Sequence, residues 1–463
     1  MIFTVYRFKM ELTIMKSLRT FVLNCNHQAM CITAYFLFFA CALASLCAQG
    51  YRPGIEAVTD TSDALKGGIF KFGFPKRLAA GQPKQTPEQL AGIARDAALH
   101  IGSAPDDAGS IATDLPYSTT PDAVAKALRK VADWQIEESR RYFGQIWTWC
   151  PLYSGFLAVS ESLHDPKYRN VVEAVGNKFG WQLQSHLAGA NGQCLGQPYL
   201  EMYLLTRDPA MMQPTQSSLD AWMATSQAAP TFGEQLGKKP AGEDIPWWWC
   251  DALYMAPATF ARMYAATGDR KYIAYLDKEW ARTSDLLYDP KEYFYSRDAS
   301  YLTRTEANGK KMFWSRGTGW VMGGLVRTLK YLPKDDPARA MYIDQLQKMA
   351  SRLAEIQGPD GLWRAGLLDP DAYDLPEISG SAFITYAMAA GVNQGFLDAK
   401  VYRPVIKRAW VGMLHHVYAR GRLGCIQQTG ADPEPFKPTA SYTYGVGAFL
   451  LAGSEIRQMK RMN

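Results

Sequence analysis

Three tryptophans, a cysteine and an aspartate stand side by side in PWWWCDALYM, residues 246–255, and the chain then runs into the apolar MAPATFARMYAAT. An ionised carboxylate in such surroundings is expensive unless it is paired or hydrogen-bonded. Asp251 therefore has two readings. One is a helix N-cap whose carboxylate accepts backbone N–H bonds. The other is a general acid/base whose proton affinity is raised by Trp247, Trp248 and Trp249. A cap lowers the pKa and the indoles raise it, so the residue types leave the net sign open.

Three more stretches share this aromatic and glycine-rich texture: IWTWCPLYSGF (146–156), FWSRGTGWVMGG (313–324) and PEISGSAFITYAM (376–388). Flat indoles can stack on pyranose faces, and glycines let a ligand approach the backbone, so the combination suits a sugar. Arg316 sits between Trp314 and Trp320. An arginine among aromatics is usually stacked and structural, but its planar fork can also hold a carboxylate. Arg297 and Arg364 are weaker candidates for that task. The Ser379-Gly380-Ser381 step can present N–H groups and hydroxyls to an anion, or simply cap a helix.

Several chemistries are disfavoured. Only six histidines occur, and the adjacent pair His415 and His416 diverge on a helix, so no metal is expected. There is no P-loop, no dinucleotide-binding glycine motif after a strand, no serine elbow, and hence no cofactor expectation. A formal charge of +6 over 463 residues, without a Lys/Arg stripe, argues against nucleic acid.

The elements that must position these residues are helices. From Pro121 onward, helix-length segments with apolar residues at three- and four-residue spacing alternate with Gly, Asp or Pro breaks. Residues 156–179 and 260–280 share one plan: an apolar helix, a D-x-K-Y turn, and a second helix; 394–410 repeats it in degenerate form. The Asp can cap the second helix while the Tyr anchors it. A more apolar first helix in each hairpin suggests two concentric layers. At roughly 28 residues per helix plus loop, the roughly 340 residues beyond the arm supply about twelve helices. Six hairpins closed into a ring make an all-α (α/α)6 barrel, spanning residues 116–463, whose inner-helix ends line a cleft. An open solenoid would need more similar repeats.

Ahead of the barrel, residues 49–115 read as an irregular arm with one helix around TPEQLAGIARDAALH. Residues 1–48 read as a basic-then-apolar secretory signal, with Met15 a natural start and cleavage near Ala48 or Gln49. The expected location is periplasmic or secreted, with membrane contact only through that segment if it stays uncleaved. Cys25, Cys31, Cys41 and Cys47 fall in the leader; Cys150, Cys194, Cys250 and Cys425, without CxxC spacing, read as buried free thiols.

WWCDALYMAP, FWSRGTGWVMGGL, DGLWRAGLLDP (360–370), PEISGSAF and GRLGCIQQTGADP (421–433) occur in an order that resembles glycoside hydrolase family 105, the unsaturated rhamnogalacturonyl hydrolases related to the family 88 unsaturated glucuronyl hydrolases. The resemblance runs from about residue 120 to 455. It implies an (α/α)6 barrel that removes a terminal 4,5-unsaturated galacturonyl or glucuronyl residue from lyase-generated oligosaccharides. It also implies Asp251 as the acid/base, Trp249 and Trp314 as sugar-stacking residues, and Arg316 as a sugar contact. Where relatives often carry two acidic residues, this chain reads ANGQCLGQ (190–197), placing neutral Asn191 in the site; where some place a histidine, YFYSRDASY (293–301) offers Arg297 and Asp298. Ser379 and Ser381 complete the expected binding set. A non-catalytic sugar-binding toroid, a lyase and an epimerase are the alternatives.

Overall fold

Helix starts in this chain are marked by short polar side chains that take up otherwise unpaired backbone N–H groups. In the computed structural model, which describes residues 86–184, 189–225 and 245–459, this device recurs at each D-x-K-Y turn. Asp165, Asp269 and Asp398 accept from the backbone N–H of Lys167, Lys271 and Lys400. The tyrosines anchor the same turns: the Tyr168 hydroxyl donates to Asp133 at 2.9 Å, and that of Tyr272 to Asp220 at 2.8 Å. The signal segment expected at 1–48 and the arm as far as residue 85 lie outside the described residues.

The arm contributes helix α1 (Pro87–Ala98), opened by a Thr86/Gln89 capping box, and strand β1 (Gly102–Ser103). Then follow α2 (Pro121–Ser139), α3 (Cys150–Leu163), α4 (Pro166–Lys178), α5 (Gly196–Thr206), α6 (Gln213–Thr225), α7 (Pro257–Thr267) and α8 (Lys271–Leu287). The hairpin β2 (Tyr288–Asp289) and β3 (Phe294–Tyr295) leads to α9 (Ser315–Leu329), α10 (Arg339–Glu355), α11 (Ile378–Asn393), α12 (Ala399–Leu414), β4 (Ser441–Tyr442) and α13 (Thr443–Gln458). Strand β1 pairs antiparallel with β4, tying the arm to the far end of the chain.

The layers follow from composition. Every residue of α9 is buried, and so is α11 from Ile378 to Gly391. By contrast α10 buries Tyr342, Gln345, Leu346, Met349, Ala350 and Leu353, one stripe at helical spacing. Helices α3, α5, α7, α9, α11 and α13 form the inner ring, each packed on the next, and α13 closes it against α3. Helix α2 backs α13 as an outer helix, so the barrel's first helix lies in the outer layer and its last in the inner one. The fold is an (α/α)6 barrel.

Close helix contact needs small residues at the crossings. A Cβ at Gly447 would overlap the Pro151 backbone, and one at Gly324 would overlap the Leu253 carbonyl. The second contact seats the turn after Asp251 directly on α9.

Candidate active site

Asp251 opens a one-turn helix, Ala252–Met255, which feeds into α7. Its own backbone is already helical (φ −63°, ψ −28°), and its side chain accepts no capping bond. The cap reading therefore fails. A capping carboxylate needs an extended backbone to fold back on the first turn, as Asp165 does. Trp247 to Cys250 are held from two sides: Thr283 donates its hydroxyl to the Trp247 carbonyl at 2.7 Å, and the Cys250 N–H donates to the Arg297 carbonyl at 2.8 Å. Trp249 also bridges to Asp298.

The Asp251 side chain is 9% exposed, and its pKa is raised. Burial is the largest cause. The charges of Arg297 and Arg316, and a thiol bond from Cys250 Sγ to Oδ2 at 3.4 Å, act in the opposite sense and are outweighed. Trp248 and Trp249 lie together, ring centroids 4.8 Å apart, whereas Trp247 packs away against Phe260 and Tyr275.

Trp314 is the N-cap residue of α9, and its indole N–H donates to Gln427 Oε1 at 2.9 Å. Arg316 is 1% exposed. Its terminal nitrogens donate to the carbonyls of Gln427 and Gln428 at 2.9 and 2.8 Å, and its guanidinium lies 4.1 Å from the Trp314 ring centroid and 5.1 Å from that of Tyr444. The stacked, structural reading accounts for this placement, while the charge still acts on Asp251.

Arg297 has a side chain 20% exposed, bonded to Asp298 at 2.5 Å and set over Trp248 at 5.6 Å. It is the first-ranking cationic influence on Asp251. Asn191 is half-buried in the turn Ala190–Gln193, which packs against the turn that follows Asp251. Arg364 is paired with Asp360 at 2.9 Å instead.

Ser379 and Ser381 are placed differently from expectation. Both are fully buried: the Ser379 hydroxyl donates to Glu377 at 2.7 Å, and that of Ser381 accepts from the Trp363 N–H at 3.0 Å. Glu377 caps α11 by accepting from the N–H groups of Ser379 and Gly380. The group that receives this helix start is thus the chain's own carboxyl, and both serine hydroxyls are taken up by partners inside the fold.

Sequence reasoning passed over Cys250, Gln427, Gln428 and Glu377. All four lie inside the motifs quoted above; Cys250 and Glu377 have partners close in sequence, whereas Gln427 stands 111 residues from Arg316. The four cysteines of the barrel are free and buried, as expected. Among the described residues, no three His, Cys, Asp or Glu side chains converge to hold a metal.

Trp249, Asp251, Arg297, Trp314 and Arg316 bring together a buried carboxyl whose proton affinity is raised, two arginines whose charges act on it, and two indoles. That arrangement can protonate an electron-rich carbon in a bound acidic sugar. The family model described as Glycosyl Hydrolase Family 88 matches residues 112–460. An "Unsaturated 3S-rhamnoglycuronyl hydrolase" of Formosa agariphila is 36% identical over 322 residues, covering 68% of this chain and 85% of the relative. A solved glycosyl hydrolase family 88 protein from Bacteroides vulgatus superposes with a TM-score of 0.67 at 27% identity, covering 73% of this chain and 99% of that one. A possible family 105 member from Salmonella enterica, 19% identical, covers 73% of this chain and 94% of its own with a TM-score of 0.60, and shares the fold. The chain belongs to glycosyl hydrolase family 88.

Proposed function

We propose that this glycoside hydrolase removes a terminal 4,5-unsaturated uronic acid from lyase-generated oligosaccharides, with Asp251 as the single general acid/base. The observation that carries the reading is a buried carboxyl at the end of the tryptophan run that forms no ion pair among the described residues, with burial the largest influence on its proton affinity. The substrate's C4–C5 double bond is a vinyl ether, conjugated to the uronate carboxylate. Asp251 delivers its proton to C4, and positive charge develops at C5 and the ring oxygen. The resulting carboxylate then takes a proton from the water that adds to C5. The C5 hemiketal opens, and the hemiacetal left at C1 expels the rest of the chain.

This route needs one carboxyl group rather than the flanking pair of ordinary glycosidases, which is compatible with the neutral Asn191 in the neighbouring turn. The Cys250 thiol donates to Oδ2 of the same carboxyl at 3.4 Å. Trp249 and Trp314 supply stacking faces. Arg297, the more exposed of the two arginines, is the better placed to meet the uronate carboxylate, while Arg316 shapes the wall behind it.

The 36% identity to an "Unsaturated 3S-rhamnoglycuronyl hydrolase" supports an unsaturated rhamnoglycuronyl substrate. The conjugated substrate absorbs ultraviolet light and the product does not, so incubation with a panel of unsaturated galacturonyl and glucuronyl oligosaccharides tests the reading directly. Bleaching is expected. Binding without bleaching would leave a sugar-binding toroid, and a gain of absorbance from saturated polymer would indicate a lyase. The basic-then-apolar segment at 1–48 supports export, which N-terminal sequencing of the mature protein checks.

A further inference from the structure

The family match begins at residue 112, and the arm helix α1 precedes it. Yet α1 carries a fully buried carboxylate, Asp96, aimed at the loop that builds one wall of the site. Both of its oxygens grip a single residue: the Thr429 N–H donates to Oδ2 at 2.9 Å, and the Thr429 hydroxyl donates to Oδ1 at 2.6 Å. Arg95, next along the helix, donates to the same hydroxyl at 2.8 Å.

Thr429 directly follows the two residues that hold the wall. The Gln427 and Gln428 carbonyls accept from Arg316, and the Gln427 side chain accepts from Trp314. The loop has ties of its own, from Gln427 Nε2 to the Asp432 carbonyl at 2.7 Å and from Gln428 Nε2 to Glu434 at 2.9 Å. The barrel also holds Gln427, whose N–H donates to Glu377 Oε1 at 3.1 Å and whose carbonyl accepts from the Tyr444 hydroxyl, whereas Thr429 is the loop residue held by the arm. The arm is fixed independently of Asp96 by the β1–β4 pair and by Arg422, which donates to the Ser103 hydroxyl at 2.8 Å. A carboxylate on an anchored helix, bonded twice to a loop residue, sets that residue's position more firmly than neutral bonds can.

We infer that Asp96 is a positioning residue for substrate binding: the N-terminal arm latches Thr429, and through Gln427 and Gln428 it fixes Trp314 and Arg316 in the sugar-binding wall. Asp96 does not touch the reacting atoms. The latch rests on the reading that this wall meets the sugar, so its test includes the wall itself.

The experiment measures kcat and KM by loss of ultraviolet absorbance, using the full chain and an unsaturated disaccharide. Asp96→Ala should raise KM about five- to tenfold and leave kcat within about twofold. Thr429→Val, which keeps the N–H bond and loses the hydroxyl bond, should raise KM about threefold. Asp96→Asn, which still offers an acceptor to the Thr429 N–H, should fall between wild type and Asp96→Ala. A role confined to folding would lower the active fraction, and so kcat, without moving KM. Trp314→Ala is the reference. If it raises KM while Asp96→Ala and Thr429→Val do not, the latch is wrong. If none of the three moves KM, the wall does not bind the sugar, and the underlying reading falls with the proposal. Should Asp96→Ala not fold, Thr429→Val decides the matter in the same way.

Discussion

Two carboxyl groups, Glu201 on α5 and Asp251 in the turn that leads into α7, meet the same kind of neighbours, and their proton affinities shift in opposite directions. Glu201 Oε1 accepts from Arg262 Nε at 2.9 Å and Arg327 Nη2 at 2.9 Å, and its ion pair with Arg262 closes to 2.5 Å. Burial alone would push its pKa up, but the two guanidinium charges outweigh that and hold it below the usual carboxylate range. Asp251 also has two arginines within electrostatic reach, and its pKa is nonetheless raised by burial.

The difference lies in where the guanidiniums are committed. Arg297 is bonded to Asp298, and Arg316 to the Gln427 and Gln428 carbonyls. Among the described residues no cation forms an ion pair with Asp251. An attraction falling with distance offsets burial only at contact. Glu201 is thereby shifted toward its charged form and Asp251 toward its protonated one. The two are also connected: Arg327 donates to Gln197 Oε1 at 2.6 Å, and Gln197 donates to the Tyr254 carbonyl at 2.8 Å, in the turn that Asp251 begins.

The contrast breaks most sharply at Asp251. Asp251→Asn should lower turnover by about 10² to 10⁴-fold, the usual scale for losing a general acid, with KM little changed. Its effect on stability should run the other way. Below the unfolded carboxylate pKa both states are protonated. As pH rises above it, the folded state keeps the proton longer, so stability declines until the raised folded pKa is passed. Asp251→Asn removes that penalty and should melt no lower than wild type at neutral pH; a clear loss of melting temperature there would contradict a poorly paired carboxylate.

Glu201→Ala should do the reverse, leaving Arg262 and Arg327 buried without their counter-charge. A loss of about 3–5 kcal/mol is expected in denaturant unfolding. Arg316→Ala should chiefly raise KM, by about tenfold, through loss of the stacked wall. A neutral sugar analogue should lose as much, since the uronate charge is assigned to Arg297; a loss confined to the charged sugar would move that role to Arg316. The finest test is Arg297→Ala. Removing the leading cationic influence should push the Asp251 pKa further up, moving the alkaline limb of the kcat/KM profile to higher pH. A shift to lower pH would overturn the electrostatic account.

The barrel itself was legible early. Apolar spacing separates α11, buried from Ile378 to Gly391, from striped α10, and D-x-K-Y predicts the Asp165 cap because it joins residues two positions apart; the motif marks Tyr168 as an anchor, but its partner Asp133 stands 35 residues away. Asp251 was legible as well, as a carboxylate among tryptophans. Ser379 and Ser381 misled, since the same S-G-S pattern serves a ligand or an internal cap, and only the proximity of Glu377 distinguishes them. Asp96 gave no signal, because its partner Thr429 lies 333 residues away.

The sequence by itself determined which helices form, which of them are buried all round, and which carboxylate stands in an apolar setting. These follow from short-range spacing and from the transfer energy of side chains. The ring's closure decided the rest: that Asp251 does not cap its helix, that burial outweighs Arg297 and Arg316, and that Arg316 is held by carbonyls from the far end of the chain. A buried group's proton affinity is set by the distances to every charge and dipole around it, and those distances exist only once remote segments have packed together.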